Sequence, residues 1–165
     1  MKGIIAFHRK DYDEARTLIE KAVNSYQETG ARFNVIIAKS GLAHMERELG
    51  NYEIALDIYR ETIVAFHNVA QTGAVAHQLE CIGFIALAWN QNERALQLFA
   101  AAHALREKGG TPMTPDEQVY FDKQVKGIHE KMDDAEFKKA WGKGHSLTME
   151  QAIGCALESD SIQRS

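Results

Sequence analysis

Seven histidines give this 165-residue chain its widest chemical reach, since a neutral imidazole binds metal ions and changes charge near physiological pH. His44 and Glu48 stand four apart on a helical pattern and offer two ligands on one face, but no third ligand follows at a defined spacing. His8, His77 and His103 are each read as a helical histidine without a fixed carboxylate or thiol beside it, and His67, His129 and His145 as surface or loop residues. Cys81 and Cys155 fall inside helical patterns, where a thiol behaves as a small hydrophobe, and neither is read as having a neighbour that lowers its pKa. The carboxylates alternate with Lys and Arg along helix faces, Asp13 with Arg16 and Asp57 and Glu61 beside Arg60, so solvated ion pairs account for them. Trp89 and Trp141 read as packing residues. No catalytic constellation, metal site or cofactor follows, and the expectation is a protein that is not an enzyme.

The charge balance excludes a further class of partner. Nineteen Lys and Arg face 23 Asp and Glu, a formal charge of -4 with both signs interspersed, so no basic stripe exists to hold phosphates and direct nucleic-acid binding is disfavoured. No apolar run approaches the length a bilayer needs, and two cysteines whose spacing asks for no disulfide suit a reducing compartment; a cytoplasmic protein without a membrane span is expected. With only two prolines, both between Thr111 and Pro115, long stretches of Ala, Leu, Glu, Gln and Lys predict helices almost throughout.

Those helices repeat. Ala15, Ala55 and Ala95 recur every 40 residues, and the same offset aligns Gly3 with Ala43 and Gly83, and Ile19 with Tyr59 and Phe99. Antiparallel helices joined by a tight turn approach closely only where one offers Gly or Ala, which makes Gly83 and Ala95 the expected contact points. The spacing predicts helices over 12–28, 31–49, 52–70, 74–89 and 93–108, with Gly30, Gly50, Gly73, Gly109 and Gly110 at helix ends. A truncated helix to about Arg9 would precede them.

The small residue followed by Ala-x-x-x-aromatic resembles the tetratricopeptide repeat, most closely in Leu79, Ile82, Gly83, Ala86, Ala95 and Phe99. The resemblance implies an all-α, TPR-like α-α superhelix of about three helical hairpins, over 1–30, 31–72 and 73–110, whose first helices line a groove for a protein or peptide partner. By that phase the groove residues are Ile4, Phe7 and His8, then Ile37, Ser40, His44 and Arg47, then His77, Glu80, Phe84 and Leu87. Packing between repeats or against the tail is an equal alternative for Ile4, Phe7, Phe84 and Leu87. The incomplete first repeat offers a face for a homo-oligomer.

Beyond Gly110 the repeat stops and residues 111–165 read as a three-helix C-terminal cap whose last residues are disordered. Thr114-Pro115-Asp116-Glu117 is a complete capping box starting a helix to about Met132. Asp133 with Glu136, and Thr148 with Gln151, start helices to about Lys143 and Glu158. Val119, Tyr120, Val125, Ile128, Phe137, Trp141, Ile153 and Leu157 are expected to face inward.

The run Ala95 to Arg106, Pro112, Pro115, Phe137 to Trp141 and Gly144 to Thr148 resembles the C-terminal end of bacterial signal-transduction ATPases of the LuxR-like and SARP-like transcriptional regulators. This implies a sensor or scaffold segment of such a regulator. No phosphate-binding loop or DNA-reading unit is present to carry over their other activities. The expected function is a non-catalytic interaction module, with small-molecule inducer binding as the alternative.

Overall fold

The computed structural model describes residues 12–158. The described residues are all-α, with eight helices and no strand: α1 Tyr12–Glu28, α2 Arg32–Glu48, α3 Tyr52–Asn68, α4 Thr72–Ala88, α5 Asn92–Gly109, α6 Pro115–His129, α7 Asp134–His145 and α8 Met149–Leu157. The first five begin one every 20 residues, so helix pairs recur at 40, and the class is the TPR-like helical hairpin expected from the repeat. Expected boundaries fall within one or two residues for most helices; α6 stops three residues early, and α7 runs two residues further.

Strict helix length needs a strict stop. Gly30, Gly50, Ala70, Asn90 and Gly110 follow the five repeat helices with φ between 56° and 81°, the left-handed region. At four of these ends the next amide closes the turn back onto the helix: Ala31 N donates to Tyr26 O, Asn51 N to Glu46 O and Gln91 N to Ala86 O, each at 2.9 Å, and Thr111 N to Arg106 O at 3.1 Å. This bond satisfies carbonyls that would otherwise end free. Gly73, expected at such an end, instead lies in the first turn of α4, and Ala70 takes the left-handed position. A glycine signal cannot mark a turn that uses alanine.

The repeat helices α2 to α5 start at Ala31, Asn51, Gln71 and Gln91 without a side-chain cap, because the tight turn fixes their entry. The tail helices lack that turn and are capped explicitly. Thr114 Oγ1 accepts from Glu117 N at 3.4 Å while Glu117 Oε2 accepts from Thr114 N at 2.8 Å, and Thr148 with Gln151 repeats the arrangement. Asp133 accepts from Ala135 N at 2.7 Å, one residue earlier than Glu136.

The described residues form two compact units divided between Val69 and Ala70, and the tail shares its unit with the third repeat. In the first unit Ala15 and Met45 are fully buried among Tyr12, Leu18 and Leu42. Arg16 does not pair along its own helix with Asp13 as expected. Its guanidinium donates twice, at 2.9 and 3.1 Å, to Glu46 on α2, which also accepts from Asn51 Nδ2 at 2.7 Å.

In the second unit Gly83 and Ala95 are the contact points the repeat predicts. A Cβ on Gly83 would stand 2.5 Å from the Phe99 ring and 3.4 Å from the Ala95 carbonyl, so only glycine lets α4 and α5 approach this closely. The tail packs on the same helices: a Cβ on Gly144 of α7 would land on the Gln97 backbone of α5. Phe121, Ile128 and Ala140 join Ala86, Ala95, Leu96 and Phe99 in one core, with Val125, Phe137 and Trp141 against it. The inward face of α6 is Phe121, Val125 and Ile128, whereas Val119 is 70% exposed, Tyr120 50% and Leu157 38%. Positions 121, 125 and 128 follow the helical period, and Val119 falls outside it.

Candidate interaction surface

Ile4, Phe7 and His8 lie outside the described residues. The groove residues expected on α2 fall on one stripe, because 37, 40, 44 and 47 advance by three or four along a helix. Ile37 is 50% exposed, Ser40 is buried, and His44 and Arg47 are half-buried. His44 Nδ1 shares a 2.8 Å hydrogen bond with the Tyr59 hydroxyl, their rings 5.5 Å apart edge to face, while Glu48 pairs with Arg47 at 2.8 Å. His44 and Glu48, the i, i+4 pair, therefore have different partners. Phe33, one turn before Ile37 on the same face, is 45% exposed and extends the apolar end of the stripe. Its i, i+4 relation to Ile37 is the signal in the sequence that marks it.

The equivalent stripe on α4 meets the chain's own tail. Phe84 stands 4.9 Å from the Phe99 ring and 5.1 Å from Tyr120 of α6, and Leu87 packs on the same core. Glu80, buried in this unit, receives Nε and Nη2 of Arg106 at 2.5 and 2.9 Å, and Arg106 Nη1 donates to Thr111 O at 2.9 Å. The hydrogen bonds it donates to Glu80 hold the Arg106 guanidinium above its ordinary pKa. Near the start of α6, the amide of Thr114 and then its hydroxyl hold the Glu117 carboxyl below its ordinary value. A pair of large aromatics and a buried bidentate ion pair thus stand where α2 has His44 and Ser40.

His77 corrects an expectation about the cysteines. Its Nε2 lies 3.9 Å from Cys81 Sγ and its Nδ1 3.4 Å from Glu80, and the negative charge of the Cys81 sulfur first, then Glu80, pushes the imidazole up to about 10. Cys81 therefore does have a histidine neighbour, legible as i, i+4 in the sequence. Cys81 itself is only 1% exposed, so reagents do not reach the sulfur as they reach a surface nucleophile.

Residues 2–66 match the tetratricopeptide repeat family model, so this stretch, less than half of the chain, is similar to that family. No curated protein and no solved structure gives a significant match. Tetratricopeptide repeats generally mediate protein-protein interaction and are typically not catalytic. No described helix is long and apolar enough to cross a membrane.

Proposed function

We propose that the chain is a non-catalytic interaction module that binds a protein or peptide partner on the α2 stripe of Phe33, Ile37, Ser40, His44 and Arg47. One observation carries the reading. Two large apolar side chains one turn apart, Phe33 and Ile37, are about half exposed on the first helix of a tetratricopeptide-like hairpin, whereas Phe84 and Leu87 of α4 pack against the protein's own core. Apolar side chains at i and i+4, bordered by an arginine and a histidine, suit an amphipathic or extended segment with an acidic end. The resemblance of the tail to bacterial regulators supports the finer reading, a scaffold segment of such a regulator, in which Phe84 and Leu87 pack within the second unit instead of binding a partner.

Replacing Phe33 with a photo-crosslinking amino acid tests the assignment in extracts of the source cell. A discrete adduct from position 33, absent when the same residue replaces Val119 on α6, is expected. Equal labelling from both positions would reject the α2 surface.

A further inference from the structure

Three ligand groups that the sequence scatters over 42 positions converge on one side of the second unit. His103 and Glu107 stand one turn apart on α5, and His145 is the last residue of α7. Their ligand atoms all lie within 4.8 Å of one another. Glu107 Oε2 is 3.4 Å from His103 Nδ1 and 3.2 Å from His145 Nε2. Tetrahedral ligands about 2.0–2.2 Å from a zinc-type ion stand about 3.3 Å apart, so two edges of the site already have their bonded length.

A second feature points to a cation at this place. His103 Nδ1 is sealed from solvent and makes no hydrogen bond, although Glu107 Oε2 stands 3.4 Å away. Glu107 Oε2 is already hydrogen-bonded to His145 Nε2, so the buried His103 nitrogen beside it is left as a ligand atom that a metal ion shared by the three groups would satisfy. The frame is packed: the Trp141 ring meets the His103 ring edge to face at 5.7 Å, and Gly144, next to His145, docks on the Gln97 backbone. Glu107 and His145 also border an open cleft of about 850 Å³ with Lys108, Thr148 and Glu150, leaving room for a water or an anionic group as fourth ligand.

We infer that His103, Glu107 and His145 form a three-ligand site for a divalent transition-metal ion of the zinc type, which clamps α7 onto α5 and keeps an open coordination position. Two imidazoles and one carboxylate suit zinc better than calcium or magnesium, which favour all-oxygen sets. No metal was expected from the sequence, because His103 and His145 are far apart in the chain. The i, i+4 pair of His103 and Glu107 was the one signal present.

Calorimetric titration of the untagged full-length chain with zinc chloride tests the site, alongside Glu107→Gln, His145→Gln and, as a control elsewhere, Cys81→Ser. Glu107 is exposed, so its substitution leaves packing intact, and the thermal midpoint without metal checks that each variant is folded. The inference expects one saturable zinc equivalent in the wild type and in Cys81→Ser, a metal-dependent rise in melting temperature, and loss of both in Glu107→Gln and His145→Gln. Cobalt in place of zinc should give a four-coordinate absorption spectrum that vanishes in the same two variants. Absence of saturable binding in the wild type, its survival in Glu107→Gln, or its loss in Cys81→Ser would each overturn the assignment.

Discussion

Glu80 occupies the repeat position that Ser40 holds 40 residues earlier, and the difference shows how one substitution redirects a surface. A buried carboxylate must be paired, and Arg106 supplies a bidentate partner on the adjacent helix. Glu80→Ala strands that guanidinium and should cost about 3 kcal/mol in urea denaturation. Ala70 carries strain of a different kind. Its φ of 56° suits glycine, so Ala70→Gly should stabilise the protein by about 1 kcal/mol, read as a higher urea midpoint at unchanged slope. Neither effect was legible in the sequence. The pairing of Glu80 with Arg106 crosses 26 positions, and Arg16 with Glu46 crosses 30, where no local spacing rule applies.

At the scale of elements, the sequence was far more informative. The 40-residue offset of Ala15, Ala55 and Ala95 places each alanine fourth in its helix and fully buried, and glycine at 83 marks the closest helix approach. Gly83→Leu should therefore cost about 1–3 kcal/mol through overpacking against Phe99, measured as a lowered denaturation midpoint. The capping boxes at Thr114 and Thr148 are visible because they are local, whereas the inward face of α6 is obscured by three consecutive apolar residues, Val119, Tyr120 and Phe121, of which only Phe121 is buried. The Thr114 box also gives α6 a pH dependence. Glu117 is held below its ordinary value, so its contribution is present above about pH 4.5 and is lost as pH falls through the lowered folded value. Glu117→Gln should flatten the acid limb of a stability profile recorded by circular dichroism, and a limb as steep as in the wild type would remove this residue from the explanation.

Across the whole molecule, what the sequence revealed was the repeat and the class of partner the repeat generally serves; what it concealed was how the tail uses the third repeat. Phe84 and Leu87 have groove spacing and core packing at once, because the phase of a helix gives the direction of a side chain without saying what covers it. Ile37 carries the same phase and is half exposed. The difference comes from α6, whose Tyr120 and Phe121 reach the rings of Phe84 and Phe99, and whose docking depends on contacts distant in sequence. The central claim is therefore that the exposed stripe of α2 is the partner-binding surface. Its most direct test is a calorimetric titration of the partner identified by crosslinking against the wild-type chain and against Phe33→Asp with Ile37→Asp. The account predicts at least about tenfold weaker binding for the double variant, a change of about 1.4 kcal/mol, with an unaltered melting temperature. Wild-type affinity in a folded double variant would contradict it.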